Sequence, residues 1–285
     1  MYYFTKWDVL IVDDEPDVLA LSKLTMEAFE VYGLPLKLHT VQTKTQAIEL
    51  LLNEPDLAIN LALAFVDVVM ETDKAGLELC DHIREEIGNR LTQIFIRTGQ
   101  SGLAPEKAVI DQYEINGYFT KIEATEEKLY SLVKSGIRQF LWSHMAQLYM
   151  AGLNEVLRVT QWQQKIEQML VSFIESAPGV SADVPLYVAF DDKVLTQHGL
   201  EEHQIMHWRQ KLDQVEGLRF SLNGNTYLRA EDSLWGIRIV ASPNNSEVIL
   251  LCQTPFAPPE DLVTMTHDFF QGLATLWKHS LPHSN

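Results

Sequence analysis

The chain has 285 residues, 46% of them apolar, which is enough for two domains with a core each. Its 39 acidic against 22 basic residues give a net charge of −17, shared by both halves: 13 basic and 23 acidic residues up to Phe140, then 9 and 16 after it. Neither half shows the basic stripe that a phosphate backbone requires, no run approaches the ~20 apolar residues of a membrane helix, and the first residues lack the charged segment, apolar run and cleavage site that mark a signal peptide. The expectation is a cytoplasmic protein that binds neither DNA nor membrane.

Residues 8–12 form a short apolar run ending in Asp13 and Asp14 and read as a buried strand. Apolar positions at helical spacing fill 15–31, until Gly33 and Pro35 break the pattern. Leu36–Val41 reads as a strand and Thr43–Leu52 as a helix. Leu61–Val66 is a third apolar run, ending at Asp67. Residues 75–87 look helical, Gln93–Arg97 reads as a strand, 105–114 as a helix and Gly117–Thr120 as a strand, and a helix begins near Ala124. Five strand–helix repeats imply a five-stranded parallel, doubly wound α/β domain over residues 1–125.

From Ala124 a helical stripe (Tyr130, Val133, Ile137, Leu141, Met145, Leu148) runs past residue 150, and Trp162–Ser176 forms another helical stretch that stops at Pro178. Residues 126–180 therefore read as a helical linker, and a homodimer through it is expected. Residues 181–285 change character. A strand at Pro185–Phe190 and a helix at Glu201–Val215 precede strands at Leu218–Leu222 and Thr226–Ala230, which flank Asn223-Gly-Asn225, a hairpin signal. Leu234–Ala241 and Glu247–Gln253 flank a second turn, and Pro258-Pro259 opens a last helix over 260–279. This is a smaller α+β domain with an antiparallel sheet. The two cysteines, Cys80 and Cys252, read as buried core thiols.

In a parallel sheet, ligands bind beyond the carboxyl ends of the strands. Asp13 and Asp14 follow the first strand, Asp67 the third, Thr98 the fourth and Lys121 the fifth. Phosphoryl transfer to a carboxylate needs these parts: an exposed acid to accept, neighbouring acids for Mg²⁺, a lysine for the phosphoryl oxygens and a hydroxyl that reports the group. Each has a plainer reading alone, Asp14 as a helix cap for instance. Together they fall in the order this chemistry requires.

Val9 to Pro16 (VLIVDDEP), Val66 to Met70 (VDVVM) and Phe119 to Lys121 (FTK) resemble the receiver domains of two-component response regulators. The resemblance implies Asp67 as phosphoacceptor, and Asp14, Asp67 and the Val69 carbonyl as Mg²⁺ ligands with Asp13 acting mainly through water. It implies that Lys121 bridges to the phosphoryl group, with Thr98 and Tyr118 as switch residues. The segments DVVMETDKAGL (67–77), IREEIGNR (83–90), RTGQ (97–100) and APEK (104–107) are similar to one subfamily, in which a receiver precedes a GAF-like domain of unknown function (number 3369) and many members continue into an HD-type domain that hydrolyses cyclic di-GMP. Three features depart from the general pattern: Glu71 stands for the usual loop proline with Gly76 one residue late, Gly99 follows the hydroxyl residue, and Ile122 replaces the proline after Lys121.

The implied partners are a sensor histidine kinase, as phosphate donor, and a downstream protein the sequence does not name. The first functional reading is thus a response regulator signalling through protein–protein contacts, with no enzyme activity beyond its own phosphorylation and dephosphorylation. The alternative is a nucleotide-type small-molecule sensor working through the C-terminal GAF-like domain, in cyclic di-GMP signalling. Other groups read more plainly. His203 and His207, at i and i+4, suit a solvated helix face, and His267-Asp268 lacks the further ligands of an HD site. Trp162, Trp208, Trp235 and Trp277 suit a second core.

Overall fold

The computed structural model describes residues 4–99, 106–158, 185–214, 220–222, 226–231, 233–241, 246–253 and 259–280. The chain divides into two compact units, one of Thr5–His144 and one of Met145–Asn285 with Met1–Phe4. The division falls inside the segment expected as linker.

In the first unit the strands are β1 (Trp7–Val12), β2 (Glu30–Val31), β3 (Leu34–Val41), β4 (Leu61–Val66), β5 (Gln93–Thr98) and β6 (Gly117–Thr120). Its helices are α1 (Pro16–Met26), α2 (Lys44–Asn53), α3 (Pro55–Asn60), α4 (Ala75–Asp81), α5 (Glu106–Tyr113) and the first part of α6 (Glu126–Arg158). The sheet order is β2-β3-β1-β4-β5-β6. All pairs are parallel except β2–β3. Without β2 the order is 2-1-3-4-5, that of the flavodoxin-like doubly wound fold. Every residue of β4 and β5 is buried, as strands covered on both faces require.

The five-stranded expectation needs one addition, so the sheet is mixed. The helix expected to reach residue 31 stops at Met26, and Glu30–Val31 pairs antiparallel with Leu34–Pro35. Tyr32 and Gly33 both have positive φ (55° and 77°), the backbone of a two-residue hairpin turn whose twist suits the flanking strands. α3 was also not foreseen. It begins at a proline and is six residues long, too short to show a period.

Helices cover both faces. Ala47 and Leu51 of α2, Leu77, Leu79 and Cys80 of α4 and Val109 of α5 pack on Leu10, Val12, Ala64, Val66, Ile94 and Ile96. On the other face Ser22 of α1 reaches Arg97, and Gly136 of α6 lies against Leu63 and Phe95. Thr43 caps α2, its hydroxyl accepting the Gln46 N–H at 3.1 Å. α4 runs on into a π-helical turn, His82–Glu86, and the chain leaves at Gly88 (φ 75°).

The second unit is built on a six-stranded antiparallel sheet. Its strands are β7 (Leu186–Phe190), β8 (Lys193–His198), β9 (Phe220–Leu222), β10 (Thr226–Glu231), β11 (Leu234–Ala241) and β12 (Ser246–Gln253), in the order β8-β7-β12-β11-β10-β9. β7 and β8 form a hairpin around Asp191 (φ 51°) that the sequence reading did not separate. Alternation along the strands divides the core. Tyr187, Ala189, Ile249 and Leu251 meet Ile205, Trp208 and Leu212 of α7 (Glu202–Asp213). Leu250 and Cys252, alternating with them along β12, and Ile237 and Trp235, paired opposite on β11, are also buried, and α8 (Glu260–Ser280) packs on β10 and β11. Tyr149, from the end of α6, stacks on Phe269 with ring centroids 4.6 Å apart, and its hydroxyl bonds to that of Thr266.

Candidate phosphoacceptor site

The site lies where the strand order reverses, beyond the carboxyl ends of β1 and β4. Backbone bonds carry both ladders one residue further: Asp13 N–H donates to Val41 O at 3.2 Å and Asp67 N–H to Val12 O at 2.9 Å. The two acids are thereby fixed at the sheet edge. Asp13 is fully buried, and Asp67, expected as an exposed acid, is only 4% exposed because it continues the ladder between β1 and β4; Asp14 and Glu15 are exposed. Oxygens of Asp13, Asp14, Glu15 and Asp67 all lie within 4.8 Å of one another.

One lysine serves three of these acids. Lys121 Nζ lies 2.6 Å from Asp67 Oδ2, 3.0 Å from Asp13 Oδ1 and 2.6 Å from Glu15 Oε1. Burial acts to lower the Lys121 pKa, but its bonds to Asp67, Glu15 and Asp13 outweigh burial and raise it. Burial pushes the Asp67 carboxyl above its ordinary value, against the pull of Lys121. Lys121 reaches this position without a following proline. Instead Thr120 and Glu123 form a capping box, Thr120 N–H donating to Glu123 Oε2 at 2.7 Å, which sets the short 3₁₀ turn Lys121–Glu123. Ile122 in that turn is 94% exposed.

Asp67 Oδ1 is buried and has no hydrogen-bond partner. An unsatisfied buried carboxylate oxygen is costly, and a divalent cation is a physical remedy for it. Four hard oxygen donors at this spacing suit Mg²⁺, with Asp14 and Glu15 open to water. Among the described residues this is the one cluster of three or more metal-ligating side chains.

The remaining expected residues are placed as follows. Thr98 ends β5, buried, in register with Thr120. Tyr118 pairs with Ile96 and is partly buried against the core. Val69 is also partly buried there, in a loop closed by Met70 N–H to Thr72 O at 3.2 Å. Glu71, at the position of the usual proline, accepts the Thr45 N–H at 3.3 Å. His203 and His207 are exposed. His267 is buried with Nδ1 2.9 Å from Asp268. Trp208 and Trp235 are core residues; Trp162 and the side chain of Trp277 lie outside the described residues.

Sequence reasoning gave Arg97 no role. It is 2% exposed, and Nη2 lies 3.1 Å from Asp13 Oδ2. The signal was in the strand period: Arg97 shares a face with Phe95, and a buried guanidinium demands an acid.

No family model matches the chain. The 3'3'-cGAMP-specific phosphodiesterase 2 of Vibrio cholerae serotype O1 is 38% identical over 154 residues. That stretch is 54% of this chain and 29% of the relative, so the chain spans less than a third of the length of the curated protein it matches. Similar solved structures include receiver domains and a response regulator. One is the signal receiver domain of an HD domain-containing protein from Pseudomonas fluorescens Pf-5 (19% identity, TM-score 0.42, 51% of this chain and 96% of that one). Another is the receiver domain of the histidine kinase CKI1 from Arabidopsis thaliana complexed with Mg²⁺ (17%, TM-score 0.35, 45% and 91%). A third is the Mn²⁺-bound form of response regulator Rcp1 (16%, TM-score 0.36, 45% and 90%).

The phosphodiesterase corrects one expectation. The reading that this chain is no enzyme rested on the lack of an output motif in 285 residues. A protein 38% identical over 154 residues is an enzyme, with most of its own length outside the match. A missing motif therefore does not separate this chain from enzymes. The resemblance of residues 181–285 to a GAF-like family gains nothing from the family comparison. Among the described residues no helix is long and apolar enough to cross a membrane.

Proposed function

We propose that the first unit is a receiver that accepts a phosphoryl group on Asp67 from a histidine kinase. The observation that carries this reading is Asp67 itself: a buried acid at the switch point, with one oxygen on Lys121 and the other unpartnered beside Asp13 and Asp14. In the transfer an Asp67 oxygen attacks phosphorus, a P–O bond to the carboxylate forms and the donor's P–N bond breaks, the histidine keeping the electron pair. Mg²⁺, when bound, would offset the charge of the carboxylate and phosphoryl oxygens. Asp14, Asp67 and the Val69 carbonyl would hold it, with Asp13 acting through water. Lys121 follows the new phosphoryl oxygens, leaving Asp67 Oδ2. Thr98 and Tyr118, on adjacent strands, report the group to the surface around β6.

The output follows by linkage: phosphorylation shifts a two-state equilibrium only through its different stability in the two states. A downstream protein reads the shifted state, and α6 supplies a homodimer contact. Incubation with acetyl phosphate and Mg²⁺, followed by separation on a phosphate-binding gel, tests the reading. A shifted band is expected for wild type and not for Asp67→Ala; equal behaviour of the two defeats it.

A further inference from the structure

Both carboxylate oxygens of Asp13 are engaged. Oδ1 takes Lys121 Nζ at 3.0 Å and the Glu15 N–H at 3.1 Å, and Oδ2 takes Arg97 Nη2 at 3.1 Å. Neither Asp13 nor Arg97 reaches solvent appreciably: their side chains are 0% and 3% exposed. Arg97 Nη1 donates to Ser22 Oγ at 2.6 Å, and Ser22 Oγ donates to Val18 O at 2.6 Å. One planar guanidinium therefore ties the acid to the backbone of α1. A lysine, with a single donor centre, would not span both partners in this way.

The position has an electrostatic consequence. Four carboxylates (Asp13, Asp14, Glu15, Asp67) against Lys121 and Arg97 leave a formal charge of −2; losing Arg97 makes it −3, which by charge alone would draw a divalent cation more strongly, so a loss of affinity on its removal reads out geometry and not charge. It has a geometric one too. Without Arg97, Asp13 would remain buried with Lys121 as its one side-chain cation. The lysine would be drawn from Asp67 toward it, and the acid would lose its tether to α1.

We propose that Arg97 is a positioning residue of the Asp67 pocket: it anchors Asp13 to α1, so that Asp13 addresses the metal from a fixed place and Lys121 stays shared with Asp67. This rests on the reading of Asp67, Asp13 and Asp14 as a Mg²⁺ and phosphoryl site.

The test titrates Mg²⁺ alone, by calorimetry, into the full chain of wild type, Arg97→Met, Arg97→Lys, Asp13→Asn and the double variant R97M/D13N. Groups that orient a metal-binding side chain are worth about 10–100-fold in metal affinity. The Kd for Mg²⁺ is expected to weaken about tenfold or more in R97M and about threefold or more in R97K. In the D13N background the R97M change costs less than about twofold, because the group it positions is gone. Urea midpoints without Mg²⁺ identify any variant that fails to fold; should R97M do so, R97K alone and on D13N carries the comparison. Wild-type affinity in the folded Arg97 variants, or an Arg97 effect that Asp13→Asn leaves unchanged, overturns the inference alone. A wild-type chain that takes up no Mg²⁺ overturns it together with the acceptor reading.

Discussion

A Cβ on Gly76 would fall 1.8 Å from the carbonyl oxygen of Asp67. The first turn of α4 thus rests directly on the backbone of the candidate acceptor, and Gly76 N–H closes the contact on Val68 O at 3.1 Å. Any larger residue must displace one of the two. Gly76→Ala is expected to lower the unfolding free energy by about 1–3 kcal/mol or more, as overpacking does, and to weaken Mg²⁺ binding because the displaced atom belongs to Asp67. Urea unfolding with and without Mg²⁺ measures both, and wild-type values for both would show that the loop yields freely.

Lys121 and the proposed metal ion would compete for the same acids. Removing the ammonium leaves three carboxylates without their shared cation. Lys121→Met is therefore expected to bind Mg²⁺ several-fold more tightly while labelling from acetyl phosphate slows at least tenfold, since no cation follows the phosphoryl oxygens. Its stability should also depend more steeply on Mg²⁺, because a ligand that binds only the native state stabilises by RT ln(1 + [L]/Kd). Mg²⁺ affinity unchanged or weaker in K121M would mean that the lysine does not oppose the metal.

Asp13, Asp14, Asp67 and Lys121 were legible in the sequence because strand ends announce themselves: an apolar run stops and a polar residue follows. The topology then does the rest, since parallel strands share one carboxyl edge. Glu15 was missed as a partner of Lys121 because it lies past the strand, where only the turn geometry brings it back. Arg97 was missed for another reason. It sits inside a run otherwise read as core, and its role depends on α1, 75 residues away at Ser22. The hairpin at Tyr32-Gly33 escaped because only glycine among its two central residues signals positive φ; the tyrosine is held there by the pairing of Val31 with Leu34. In the second unit alternation and turn residues located five of the six strands, but β8 is largely exposed and carries no apolar period to reveal it.

His144 supplies a pH dependence. It is 2% exposed on α6, its ring 4.7 Å from that of Phe140, and burial lowers its pKa to about 4. In the unfolded chain the value is about 6.5. Between these limits the unfolded state binds a proton that the native state does not. The contribution is therefore complete above about pH 6.5 and is lost as pH falls toward about 4, by up to about 3 kcal/mol. Urea midpoints across that window should fall with pH in wild type and flatten in His144→Leu. Parallel curves for the two proteins would remove His144 as the source.

The second unit has its own close approach. A Cβ on Gly236 of β11 would lie 2.6 Å from Cε3 and 2.9 Å from Cζ3 of Trp208, and 3.3 Å from Cδ1 of Leu212. Trp208 is 5% exposed and packs among Tyr187, Ile249 and Leu251, so its ring has little room to retreat. Gly236→Ala should destabilise this unit by about 1–3 kcal/mol. Met206 on the same helix is 65% exposed, and Met206→Ala should stay within about 0.5 kcal/mol of wild type. Mg²⁺ affinity should not change in either variant, because the acids proposed to bind it all belong to the Thr5–His144 unit. Unfolding followed by tryptophan fluorescence, alongside a Mg²⁺ titration, separates the two effects. A Gly236→Ala protein as stable as wild type would show that Trp208 can move aside, and that helix α7 is not seated on the sheet through this contact.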